Sequence, residues 1–122
     1  MVNIEIKRKN GQTAILISFR SESEKFESPS ERNKFFSDLY GRKQTVPGKK
    51  KTYVYRRPGL LDDIPNLKVD NSVFIVMQEH MRRMQEFFKE WNQKVEFQTF
   101  PVILNKEQEE KLKEKERIVP IE

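Results

Sequence analysis

The chain has no cysteine among its 122 residues. That absence excludes a disulfide framework, a thiolate nucleophile and any zinc or iron–sulfur site built on cysteine. Histidine is almost absent too: His80 is the only one, so a Ser/His/Asp arrangement has one available centre, and no Gly-x-Ser-x-Gly elbow accompanies it. The four glycines make neither a Walker loop nor a Gly-x-Gly-x-x-Gly turn. No window approaches the roughly 20 apolar residues of a membrane span, and the N-terminal MVNIEIKRKN lacks an apolar run of signal-peptide length. With no cysteine, these features set a cytoplasmic location as the expectation.

What the chain has in excess is charge, and the excess is local. Residues 42–57, RKQTVPGKKKTYVYRR, hold Arg42, Lys43, Lys49, Lys50, Lys51, Arg56 and Arg57 with no Asp or Glu. Outside that stretch 17 basic residues face all 19 acidic ones, so the stretch carries +7 and the rest of the chain −2. Tyr53 and Tyr55 lie between the cations. A clustered positive field interleaved with aromatic rings suits a polyanion. The competing reading is a solvated loop whose tyrosines are core.

The elements follow from periodicity and punctuation. Val2, Ile4 and Ile6 alternate with polar residues, Asn10-Gly11 supplies type I′ turn chemistry, and residues 13–19 alternate again. An N-terminal hairpin is expected there, setting Ile6 opposite Ile15, Ile4 opposite Ile17 and Val2 opposite Phe19. Ser28-Pro29-Ser30-Glu31 reads as a capping box opening a helix from Pro29 to Tyr40, with Gly41 as its C-cap. The basic stretch begins at once: a loop with a Val46-Pro47-Gly48 turn, then a strand from Thr52 to Arg57. Alternation puts Tyr53, Tyr55 and Arg57 on one face of that strand and Thr52, Val54 and Arg56 on the other. With Val54 inward the tyrosines are available to a ligand; with the tyrosines inward only phosphate contact remains. Residues 60–71 read as an ordered loop, and residues 73–76 as a buried strand. Met77, Met81, Met84, Phe88 and Trp91 form one stripe of a helix from about Gln78 to Trp91, capped by Asn92. In the strand from Lys94 to Leu104 the alternation changes phase between Phe97 and Phe100 beside Pro101, which predicts a bulge or bend on an edge strand. Residues 105–117 are helical by propensity, with Leu104, Leu112, Ile118, Val119 and Ile121 available for docking.

These elements predict an α+β fold, a small mixed β-sheet with the N-terminal hairpin packed by two or three helices. One parallel crossover is expected between residues 73 and 104. The alternative is a ferredoxin-like βαββαβ order with an added N-terminal strand and C-terminal helix. That order makes its first strand central, which conflicts with a hairpin partner for residues 13–19. The expected organisation is one domain over residues 1–104 and a charged helix and tail over 105–122.

For function, the sequence favours a small non-enzymatic protein that binds nucleic acid, RNA or DNA, with weak sequence specificity. Arg42, Lys43, Lys49, Lys50, Lys51, Arg56 and Arg57 would contact phosphates, while Tyr53 or Tyr55 stacks on exposed bases. Lys7, Arg8 and Lys9 extend the surface or guard a hairpin tip, and Arg82 and Arg83 join it only if their helix edge lies alongside. The alternative is an interaction module or accessory subunit docking on an acidic protein. A third reading, a metal-dependent nuclease, gathers Asp62, Asp63, Asp70, Glu79 and His80. Their spacing matches no calcium or zinc motif, and loop-capping accounts for the aspartates. No catalytic residue, metal site or cofactor is assigned, and no membrane partner is expected.

Overall fold

The computed structural model describes residues 13 to 118. A strand β1 (Ala14–Ser21) is followed by a 3₁₀ turn at Ser23–Lys25 and helix α1 (Pro29–Tyr40). Two strands come next, β2 (Arg42–Pro47) and β3 (Thr52–Arg57), then a single helical turn α2 (Leu60–Asp63). Strands β4 (Asn66–Asp70) and β5 (Val73–Met77), helix α3 (Met81–Glu90), strand β6 (Val95–Val102) and helix α4 (Lys106–Ile118) complete the order.

Four strands form the main sheet in the order β4-β5-β1-β6, while β2 and β3 pair only with each other. The fold is α+β, and in place of a mixed sheet every neighbouring pair is antiparallel. Strands β5 and β6 do run in the same direction, joined through α3, but β1 lies between them. With the β2–β3 pair set aside, order and pairing are those of the ferredoxin-like βαββαβ arrangement. The expected hairpin partner, residues 2–9, lies outside the described residues. Within them, β1 is bonded along one edge to β5 and along the other to β6, so neither edge is free for such a partner.

The sheet has two covered faces. Ile15, Ile17 and Phe19 alternate onto one, level with Val76 and Phe74 of β5 and Phe97 of β6. Against it α1 sets Phe35 and Leu39, and α3 sets Met84 and Phe88; all four are buried. Phe35 is the hub, with the rings of Phe19, Phe26, Phe36, Phe87, Phe88 and Trp91 all within 6.4 Å of its centroid. The few aliphatic residues of the sequence are thus supplemented by a contiguous aromatic core. On the opposite face Ala14 and Ile75 are covered by Leu104 and by Leu112 of α4. Asn105 and Gln108 open that helix reciprocally, each side chain accepting the other's backbone N–H at 2.8 and 3.0 Å.

Several local expectations are corrected. β6 pairs with β1 from Val95 to Val102 without a register shift, so no bulge occurs there. The phase change arises because Phe97 turns toward the helices and Phe100 toward the other face, where it stays 48% exposed. β6 is an edge strand as expected. The irregularity lies instead in β4, between Lys68 and Asp70. Residues 60–71 hold α2 and β4 rather than a loop. Met77 ends β5 and packs with the second cluster, leaving Met81, Met84, Phe88 and Trp91 as the helical stripe.

Candidate functional site: a cationic two-stranded ribbon

The capping residues of α1 act largely as their types predict. Ser28 accepts the N–H of Glu31 at 3.2 Å, although Glu31 reaches back to the N–H of Glu27 rather than to that of Ser28. At the other end Gly41 takes φ +81°, open to glycine at little cost, and its N–H donates to Ser37 O at 2.8 Å. The chain therefore passes from α1 into β2 through Gly41 alone.

β2 and β3 form a ribbon closed by a turn over residues 48–51, where the Gly48 N–H donates to Lys51 O at 2.9 Å. Arg42 stands opposite Arg57, Lys43 opposite Arg56, Gln44 opposite Tyr55 and Val46 opposite Tyr53. Side chains paired across an antiparallel ladder share a face. One face therefore carries Arg42, Gln44, Val46, Tyr53, Tyr55 and Arg57, and the other Lys43, Thr45, Pro47, Thr52, Val54 and Arg56. The choice between tyrosines inward and Val54 inward does not arise, because neither face is covered. Tyr53, Tyr55 and Val54 are 43%, 49% and 64% exposed, and the ribbon bonds to no strand of the main sheet.

On the tyrosine face the rings of Tyr53 and Tyr55 stand with centroids 6.4 Å apart and planes 24° from parallel. Lys51 places its ammonium 5.2 Å from the Tyr53 centroid, a cation–π contact that keeps the charge beside the ring. Arg57 Nε donates to Gln44 Oε1 at 2.5 Å, holding the guanidinium along the same face. Arg42 and Arg57 also border an open groove of about 560 Å³ lined on the α1 side by Ser30, Asn33, Ser37 and the ion pair Lys34–Asp38.

The ribbon is fastened at its root. Arg56 Nη2 reaches Asp62 Oδ1 at 2.8 Å and Oδ2 at 3.0 Å, and also donates to Tyr40 O at 3.1 Å. Asp62 Oδ2 in turn accepts the N–H of Gly59 at 2.7 Å. A Cβ on Gly59 would lie 2.2 Å from Gly41 N and 2.7 Å from Leu39 O, so this glycine admits the close approach of the ribbon's exit to the end of α1. Tyr40 anchors the same corner: its hydroxyl donates to Asn71 O, and burial pushes its pKa up to about 12.

Of the sequence-predicted set, the fold brings Arg42, Tyr53, Tyr55 and Arg57 onto one face, with Lys49, Lys50 and Lys51 in the turn beyond them. Lys43 and Arg56 point to the other face, and Arg56 is engaged in the root contact. Lys7, Arg8 and Lys9 lie outside the described residues. Arg82 pairs with Glu86, and Arg83 approaches Asp63, both at 3.6 Å. The carboxylates of the nuclease reading are dispersed: Asp62 serves the clasp, Asp70 accepts the N–H of Asn71, and His80 Nε2 stands 3.6 Å from Glu79. Among the described residues no three His, Asp or Glu side chains converge on a point where an ion could sit, and no helix is long and apolar enough to cross a membrane. Sequence reasoning missed Asp62 as the partner of Arg56 and Gln44 as the partner of Arg57. The signal for the first was its place six residues beyond Arg56, across a Pro-Gly turn. No protein-family model matches the chain, and neither a curated protein nor a solved structure is significantly similar to it.

Proposed function

We propose that this protein binds nucleic acid through the β2–β3 ribbon. The observation that carries the reading is the state of the seven cations: among the described residues, only Arg56 forms an ion pair. Arg42, Lys43, Lys49, Lys50, Lys51 and Arg57 have no carboxylate partner there, on a ribbon exposed on both faces. Elsewhere some surface cations are offset locally, as in Lys34–Asp38, Lys25–Glu22 and Lys111–Glu107, and others such as Lys89 and Lys106 are not, among the described residues; what sets the ribbon apart is that its unpaired cations are clustered with no Asp or Glu among them. Unoffset charge on a thin arm repels itself and adds nothing to the core, whereas phosphates of a polyanion satisfy it.

Binding of this kind is chiefly counterion release. With about five phosphates contacted, log affinity should fall against log salt with a slope of about −3.5 on single strands and −4.5 on duplex DNA. Fluorescence anisotropy with labelled oligonucleotides from 50 to 300 mM salt measures it. Replacing Lys49, Lys50 and Lys51 by Glu should weaken binding at least as far as the loss of three contacts and make the slope shallower by about 2 to 3. A flat salt dependence, or full binding by the triple variant, overturns the proposal. So does capture of a protein partner by the ribbon that survives nuclease treatment while oligonucleotides fail to bind, which would assign the ribbon to an acidic protein surface.

A further inference from the structure

The geometry of the tyrosine pair points to a more specific ligand, and we infer that the ribbon takes a single-stranded polynucleotide and seats one base between Tyr53 and Tyr55. This rests on the nucleic-acid reading above and deepens it. Alternate residues of an antiparallel strand are about 6.8 Å apart, while bases stacked along a nucleic-acid strand repeat at about 3.4 Å. Two strand residues therefore span two stacking steps. The Tyr53 and Tyr55 centroids, 6.4 Å apart with their planes 24° from parallel, are set at the spacing that one planar base fills with a ring on each side. Both rings are solvent-exposed, so the slot opens outward.

The rest of the face fits a strand laid along it. Arg42 and Arg57 flank the slot on the root side and Lys51 on the turn side, so cations stand before and after the stacked base where the sugar–phosphate chain enters and leaves. The same face is poorly suited to reading a duplex. A two-stranded ribbon fits a major groove, but recognition there comes from amide and guanidinium groups meeting base edges. Here the middle of the face presents two tyrosines and a valine, its one amide, Gln44, is bonded to Arg57, and its two guanidiniums, Arg42 and Arg57, stand opposite each other at the root, away from the rings' outer end. A base in a duplex is already stacked on both sides and must be flipped out to enter the slot, a cost that a single strand largely avoids. Discrimination between strands thus comes from stacking, and charge alone does not supply it.

The test compares the full chain against 12-nucleotide oligothymidylate, 12-nucleotide oligouridylate and a 12-base-pair duplex at one salt concentration, with 2-aminopurine placed at the centre of a parallel single-stranded probe. Tighter binding of either single strand than of the duplex, with quenching of the 2-aminopurine, supports the inference. Tyr53→Ala and Tyr55→Ala should each weaken single-strand binding by about 5- to 150-fold and restore the fluorescence, while Tyr53→Phe and Tyr55→Phe, which keep the rings, should bind as the wild type. Exposure of both side chains means that all four variants should melt with the wild type, which separates lost stacking from lost folding. If duplex and single strands bind alike, and the alanine variants bind normally while the Lys49, Lys50, Lys51 to Glu variant fails, the inference falls and the nucleic-acid reading stands. If no oligonucleotide binds in any arm, both fall.

Discussion

Replacing Gly59 by Ala tests the root of the ribbon with one methyl group. Gly59 has φ −103° and ψ 179°, extended backbone that alanine adopts without strain, so any effect comes from contact alone. The new Cβ would meet Gly41 N at 2.2 Å and the carbonyl carbon and oxygen of Leu39 at 2.7 Å. These are main-chain atoms and cannot rotate aside. Relaxing the closest contact to an ordinary 3.4 Å requires the ribbon's exit and the end of α1 to part by about 1.2 Å. That movement draws the Gly59 N–H from Asp62 and shifts Asp62 from Arg56. Overpacking of this kind costs about 1–3 kcal/mol, and the half-exposed clasp adds about 1 kcal/mol. Together they give about 2–4 kcal/mol. For a chain of this length each kcal/mol moves the melting temperature by about 4 °C, so Gly59→Ala should melt about 8–16 °C below the wild type by circular dichroism. Amides of residues 42–57 should also exchange faster. Asp62→Ala, which removes only the clasp, should lose about 4 °C. A Gly59→Ala protein that melts within 2 °C of the wild type, with unchanged exchange in the ribbon, would refute the view that this glycine fixes the ribbon to α1.

Three further outcomes follow from packing and charge. Lys94, bonded to Glu31, together with the Glu27 N–H holds the Glu31 carboxyl below its ordinary 4.5; a carboxylate depressed in the native state stabilises above its unfolded pKa and loses that contribution as pH falls through the native value. Denaturant titrations should therefore show Glu31→Gln least stable relative to wild type at neutral pH, with the gap closing below pH 4.5, and a gap that widens in acid would contradict the ion pair. Leu112→Ala empties the one fully buried contact among the described side chains of α4 and should cost about 2–3 kcal/mol, with faster amide exchange across residues 106–115; unchanged exchange would mean that the helix is held by something else. Tyr40→Phe removes the hydroxyl that donates to the Asn71 carbonyl and should cost about 1 kcal/mol, and the ultraviolet difference spectrum between wild type and variant should isolate a phenol titrating near 12.

The parts of the fold that the sequence announces are those where local chemistry and tertiary packing agree. α1 is legible from Ser28 to Gly41 because each end has a residue whose side chain or missing side chain satisfies the terminal backbone groups. β1 and α3 are legible because their apolar residues alternate or recur against a single core. β4 is not: its residues Asn66, Lys68 and Asp70 are polar, it follows Pro65, and it is a strand only because β5 offers an edge beside it. β2 is hidden for the same reason, since RKQTVP has little strand propensity and extends only because β3 folds back on it. Of the site, the charge cluster is plain in the sequence. What one dimension withholds is which cations already have partners. Arg56 and Lys43 look equivalent until the turn at Pro58-Gly59 brings Asp62 to one and not to the other.

Neither of the two buried clusters contains any residue from 42 to 57. The ribbon leaves the body and returns to it at one point, since a Cβ on Gly41 would lie 2.8 Å from Arg57 O and 2.9 Å from Gly59 N. A segment whose two ends meet is, for the core, an appendage that closes on itself. Mutations within it escape the constraint that packing places on the rest of the chain, so its surface is free to diverge while the scaffold is held. For the same reason, a chain joined from Gly41 to Pro58 through a short turn should keep its aromatic core, and the excised arm could be grafted wherever another fold presents two chain ends this close together.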